Sequence, residues 1–166
     1  MIDLDALALR SGQGEKIELQ LEPERPVVGG ETLTLPEPLT LARVDVSRTT
    51  SGYALRLRLA TEVEGTCSRC LGRARRPLEV DAREVEQASE SDPELVSPYV
   101  SEGVLDMAAW VRDAITLALP ERLLCRDDCA GLCEECGADL NHVGPGAHSH
   151  EPALDPRFAK LRELSD

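Results

Sequence analysis

Leu55-Arg56-Leu57-Arg58-Leu59 carries an apolar side chain at every second position, with arginines between. A period of two belongs to a β-strand with one dry face and one wet face. Ile17, Leu19 and Leu21 repeat the pattern around Glu18 and Gln20, and Leu78, Val80 and Ala82 repeat it around Glu79 and Asp81. Leu33/Leu35 and Val44/Val46 are weaker instances. Such strands build an antiparallel sheet covered on one side. Ser51-Gly52 separates two of the runs as a hairpin turn would. Pro23, Pro26, Gly29-Gly30, Pro36 and Pro38 break up residues 22–38, which read as loop with a short strand.

Downstream the period changes. Met107, Val111, Ala114, Ile115 and Ala118 line one side of a helix over residues 105–119, with Trp110 facing the sheet. Pro120 ends it, and Asp106 or Ser101 is the candidate cap. Asp155-Pro156 opens a short terminal helix, with Phe158, Leu161 and Leu164 for burial. Strands followed by helices give an α+β fold: an antiparallel β-sheet packed by one main helix, a zinc-binding C-terminal segment, and a short terminal helix. The expected division is a core over residues 1–124, a cysteine/histidine segment over 125–150, and a C-terminal helix over 151–166 that packs on the core.

The 166 residues include 42% hydrophobic and 30% charged side chains, so a packed core is expected. Aromatics are only 2%, which makes that core aliphatic and leaves little to build a base-stacking platform. The net charge of −13 disfavours a broad, sequence-blind hold on nucleic acid. No apolar run suits a membrane helix, and the start Met1-Ile2-Asp3-Leu4-Asp5 is acidic where a signal peptide is basic. A cytoplasmic protein is the expectation. Between Glu84 and Asp106 there are seven acidic residues and no basic ones, and Gln87-Ala88-Ser89-Glu90-Ser91-Asp92-Pro93 within this stretch reads as a flexible, wet loop.

The six cysteines fall as Cys67-x2-Cys70 and Cys125-x3-Cys129-x3-Cys133-x2-Cys136. In a reducing compartment close cysteine pairs are metal ligands or redox centres. Two Cys-x2-Cys turns in one short chain point to structural zinc. Gly137 follows the second turn directly, whereas Gly72 lies one place later after the first. The spacing admits two partitions. One joins Cys67, Cys70, Cys133 and Cys136 in a single site. The other joins Cys67, Cys70, Cys125 and Cys129, leaving Cys133 and Cys136 with two of His142, His148 and His150. A thiol oxidoreductase is the rival reading, but the run after Cys70 reads as a turn into a strand, not as an opening helix. No phosphate loop, nucleophile elbow or His-Glu-x-x-His helix is present, so no enzyme and no small-molecule substrate are expected.

Against the acidic background, residues 53–83 hold seven arginines and four acids. Arg69, Arg73, Arg75 and Arg76 surround the first cysteine turn and are candidate contacts to RNA phosphates, with internal pairing to the abundant acids as the plainer alternative.

Cys67-Ser68-Arg69-Cys70-Leu71, Leu117-Ala118-Leu119-Pro120, the run from Cys129 to Asn141, and Asp155-Pro156-Arg157-Phe158-Ala159-Lys160-Leu161 occur in an order that resembles the YceD-like proteins, the large ribosomal RNA subunit accumulation proteins. The resemblance runs from about residue 40 to 164. It implies a bacterial or chloroplast protein needed for normal levels of large-subunit rRNA, with no catalytic activity established for the family. The gene often sits beside that of a small large-subunit ribosomal protein. Some members keep only the first turn and a ligand pair after the Leu-Pro, which by analogy favours Cys67, Cys70, Cys125 and Cys129 as one zinc site. Many carry Cys-x-Cys where this chain has His148-x-His150, which implies Cys133, Cys136, His148 and His150 as a second. The reading is a non-enzymatic factor in large-subunit biogenesis that binds a large-subunit ribosomal protein or rRNA; a zinc-binding interaction adaptor is a further alternative.

Overall fold

A four-stranded antiparallel sheet forms the body of the computed structural model, which describes residues 1–87, 95–144 and 146–150. In chain order the elements are β1 (Ile2–Asp3), β2 (Gly14–Leu21), β3 (Val27–Val28), β4 (Glu31–Thr32), β5 (Thr40–Arg48), β6 (Gly52–Thr66), β7 (Arg73–Gln87), β8 (Val100–Ser101), β9 (Val104–Leu105) and α1 (Met107–Ala118). The main sheet runs β2-β5-β6-β7, every neighbour antiparallel. A small sheet β1-β9-β8 and the hairpin β3-β4 flank it.

The register stacks the alternating residues on one face: Val44 lies between Ile17 and Leu57, and Leu57 between Val44 and Ala82. That face packs against Met107, Trp110, Val111, Ala114 and Ile115 of α1, with Leu4 and Leu105 closing the end. The core is aliphatic apart from Trp110 and Tyr53, as the composition requires. Helix α1 is two residues shorter at its start than expected, because Asp106 caps it: its Oδ1 accepts from the N–H groups of Ala108 (3.0 Å) and Ala109 (3.1 Å). Leu119, held extended before Pro120, ends it.

Three local features differ from the sequence reading. Leu33 and Leu35 are buried but form no strand; Thr34 makes only an isolated bridge to Glu64. β6 and β7 each run 15 residues, well beyond the alternating cores read from the sequence. The acidic stretch also contains a hairpin, β8-β9, turned by Glu102 and Gly103, both at positive φ. The expected C-terminal helix at 151–166 and most of the expected acidic loop lie outside the described residues.

Among the described residues no helix is long and apolar enough to cross a membrane. The feature that positions the site is the β6-β7 hairpin, whose far end projects past the core and carries Cys67 and Cys70 at its tip.

Candidate metal centres

The hairpin tip is a tight turn. Cys67 N–H donates to the Gly72 carbonyl at 2.8 Å, and Leu71 N–H donates to the Cys67 carbonyl at 3.0 Å. Cys133 N–H to the Ala138 carbonyl (2.8 Å) and Gly137 N–H to the Cys133 carbonyl (2.9 Å) repeat that arrangement at the same offsets. The two Cys-x2-Cys turns are therefore built alike. Each needs a left-handed residue directly after its second cysteine: Gly137 (φ 72°) in one and Leu71 (φ 58°) in the other. Gly72 is thus not the residue that makes the first turn.

The chain after α1 returns to this tip. Ser68 N–H donates to the Leu123 carbonyl at 2.8 Å. A side chain at Gly65 would meet Leu33 and Leu123 at under 3 Å, so the bare backbone there lets both leucines cross β6. Cys125 and Cys129 are thereby laid beside the turn. Cys67 Sγ is 3.8 Å from Cys129 Sγ, and Cys70 Sγ is 3.7 Å from Cys125 Sγ. All four sulfurs lie within 4.8 Å of one another and none is in a disulfide. A second group, Cys133, Cys136, His148 and His150, meets the same limit. Cys133 Sγ is 3.2 Å from His150 Nε2, Cys136 Sγ is 3.6 Å from His148 Nε2, and the two Nε2 atoms are 2.9 Å apart. Glu135 Oε2 accepts from His150 Nδ1 at 3.1 Å, which turns Nε2 toward the sulfurs, as carboxylates orient metal-bound imidazoles. His142 stays apart, against Asp139 at 3.5 Å. Of the two partitions the spacing allowed, the geometry forms the one with two separate groups.

Electrostatics point the same way. Burial raises the Cys67 thiol, but the backbone N–H groups of Cys70, Arg69 and Cys125 outweigh it and hold the thiol down to about 6. Cys125 is pushed up to about 12 by burial and by the neighbouring thiols of Cys129, Cys70 and Cys67. In the second group the Cys136 backbone N–H, then His148, bring Cys133 down to about 6. Four sulfurs this close cannot all ionise without a cation, and a divalent ion removes that conflict. Thiolate and imidazole donors converging in fours suit zinc among the common divalent ions. Both clusters fit such an ion: an all-cysteine set, half of it buried, and a more exposed set of two cysteines and two histidines.

A thioredoxin-type Cys-x2-Cys opens a helix, whereas the Cys67 turn joins two strands. The four arginines around it divide into two pairs. Arg69 Nη1 donates to the Cys129 carbonyl at 2.8 Å and Arg76 Nε to the Leu124 carbonyl at 2.8 Å, with Asp127 also on Arg76. These two brace the cysteine-bearing chain. Arg73 pairs with Glu64 at 2.5 Å and Arg75 with Glu62 and Glu64, all at the outer face of the sheet.

Two contributors escape the sequence. Leu71 gives no hint of its left-handed backbone. Asn141, whose Nδ2 lies 3.5 Å from Cys129 Sγ, belongs to no recognisable ligand spacing.

Relatives of the chain occur in mycobacteria. Uncharacterized proteins of Mycobacterium tuberculosis and Mycobacterium bovis are each 37% identical to the chain over 114 residues, covering 64% of it and 52% of their own length. One from Mycobacterium leprae is 42% identical over 66 residues, covering 40% of the chain and 29% of its own length. The chain thus spans about half the length, or less, of these relatives. No solved structure matches it. Residues 55–165, well over half of the chain and including every cysteine and histidine of both clusters, match the model of the large ribosomal RNA subunit accumulation protein YceD. The chain belongs to the YceD family.

Proposed function

We propose that this chain is a non-enzymatic factor in biogenesis of the large ribosomal subunit, needed for accumulation of its rRNA. Zinc at one or both clusters fastens the hairpin tip to the chain beyond α1. The observation that carries the reading is the family match, whose limits take in the helix, both clusters and all but the first three residues of the hairpin. The family's description names a process and not a client.

A large-subunit ribosomal protein is the favoured client over rRNA. Arg69 and Arg76 are bonded to carbonyls of the cysteine-bearing chain, so the arginine group around the turn offers Arg73 and Arg75 at most to phosphates. A net charge of −13 attracts basic ribosomal proteins and repels a phosphate backbone. Arg73 and Arg75 remain at the surface although their shared partner Glu64 is largely buried, so an RNA contact would use these two arginines.

The deciding experiment is a ribosome sedimentation profile after depletion, with both large rRNAs quantified. Selective loss of large subunits and of their rRNA is expected. An unchanged profile overturns the proposal. Crosslinking in cells then separates the clients: recovery of a ribosomal protein without rRNA supports the favoured one, and the reverse result overturns it.

A further inference from the structure

Asn141 sits in the chain between Cys136 and His148 and touches the other cluster. Its Oδ1 accepts from the backbone N–H of Ala130 at 2.8 Å and from Arg126 Nη2 at 2.7 Å. Both partners are donors only, so the orientation of the amide is fixed. Its Nδ2 is thereby turned to Asp139 Oδ1 at 2.7 Å and to Cys129 Sγ at 3.5 Å. The backbone makes a parallel connection. Leu132 N–H donates to the Arg69 carbonyl at 3.1 Å, and Leu140 N–H to the Gly131 carbonyl at 2.9 Å. The ribbon that carries Cys133 and Cys136 is laid on the hairpin tip and hydrogen-bonded to one of the sulfurs there.

We propose that Asn141 couples the two clusters: metal at Cys67, Cys70, Cys125 and Cys129 raises the metal affinity of Cys133, Cys136, His148 and His150, and the reverse. The proposal rests on the zinc reading above. A metal-bound Cys129 is a fixed thiolate that accepts the Asn141 N–H, as outer hydrogen bonds commonly support metal ligands. With Asn141 anchored, the loop to His148 and His150 starts from a set point, and closing it on Cys133 and Cys136 forfeits less freedom. When the first cluster is empty, no ion holds the Cys129 sulfur in place, and the anchor is weakened to the bonds that Asn141 makes with Ala130, Arg126 and Asp139. Linkage makes the effect mutual.

Cobalt(II) titration of the metal-free full chain tests this, because the thiolate charge-transfer bands of a four-sulfur and a two-sulfur site are distinguishable. In Asn141→Ala both sites still fill, but the two-cysteine, two-histidine site binds about tenfold more weakly than in the wild type. Asn141→Asp keeps the acceptor for Ala130 but not the N–H toward sulfur, and it should weaken that site as much as alanine does. Disabling the second site with His148→Ala/His150→Ala should weaken cobalt at the first by a similar factor relative to the doubly loaded chain. Wild-type affinities at both sites in Asn141→Ala, or full retention of coupling in Asn141→Asp, overturn the proposal and leave the zinc reading intact. A chain that takes up no cobalt overturns both.

Discussion

Cys67 and Cys129 are 62 residues apart in the chain, yet their sulfurs lie 3.8 Å apart and neither residue is more than 1% exposed. Around them is only a small apolar cluster: Ala74 is buried, and Leu123 and Leu124 are partly so. A crosslink between the sheet and the chain beyond α1 therefore has little hydrophobic support of its own.

It follows that loss of metal should act on the whole domain. Chelation, or Cys129→Ser, should lower stability by more than about 4 kcal/mol, roughly 8–16 °C in Tm for a domain of this size. Cys136→Ser, at the exposed cluster, should cost less than half of that. Thermal melts of the loaded, chelated and substituted proteins check this. Equal shifts for the two variants would refute the ranking.

The likeness of the two cysteine turns yields a stabilising substitution. Leu71 holds a left-handed backbone (φ 58°) and is 66% exposed, so it loses little packing on truncation. Leu71→Gly should stabilise the loaded protein by about 1 kcal/mol, and Gly137→Ala should destabilise it by about the same. Denaturant unfolding at fixed metal concentration measures both. A destabilised Leu71→Gly would mean that the side chain contributes more packing than its exposure implies.

The arginines should separate by role. Arg73→Ala and Arg75→Ala each remove one of the two exposed arginines that pair with the largely buried Glu64 and leave the other in place, so each should change stability by less than about 1 kcal/mol. Arg69→Ala and Arg76→Ala leave the Cys129 and Leu124 carbonyls without their donors and should each cost about 1–2 kcal/mol. They should also speed metal loss to a chelator. Melting curves and chelator kinetics on the four variants decide it; similar behaviour of all four would contradict the division.

Alkaline pH probes the other end of the sheet. Burial, then the Asp5 carboxylate, raises the Tyr53 phenol, whose hydroxyl donates to the Leu4 carbonyl (3.1 Å) and lies 2.9 Å from Asp5 Oδ1. Burial, then Asp113, raises Tyr99. A folded pKa above the unfolded value near 10 stabilises the fold below pH 10, and that contribution is lost as pH rises through the folded value. Phenolate absorbance should therefore develop above pH 10 in the folded chain and near pH 10 in denaturant. Tyr53→Phe should lose about 1 kcal/mol and half the displaced signal. Coincident folded and unfolded titrations would refute the assignment.

What the sequence declared depended on how local the cause was. The alternation at Leu55–Leu59 and the stripe on α1 are short-range patterns, and both reappear as the core. Pro77 hid the true length of β7, because proline reads as a strand breaker; it is tolerated there because β7 is an edge of the sheet, where a missing N–H leaves no neighbouring strand unpaired. The β8-β9 hairpin hid because each strand has two residues, too few for any period. Cysteine spacing disclosed both turns but not their partners. Choosing His148 and His150 over His142 depends on how the loop closes, and Asn141 acts on a sulfur through a contact that only the packed chain creates.

The length of the β6-β7 hairpin raises a question of fidelity. Sliding β7 by two residues would set Leu57 against Val80 and Leu59 against Leu78, as apolar as the native Leu57–Ala82 and Leu59–Val80 pairs. It would also set Arg56 opposite Asp81, Arg58 opposite Glu79 and Glu62 opposite Arg75, so the outer face would not object either. The tip objects. The slide would set Cys67 directly across from Cys70 around a two-residue Ser68-Arg69 turn, which lacks the glycine or asparagine such turns favour and destroys the loop that presents both thiols to Cys125 and Cys129. A molecule in the wrong alignment could not close on an ion, and uptake of metal would serve as proofreading of strand alignment.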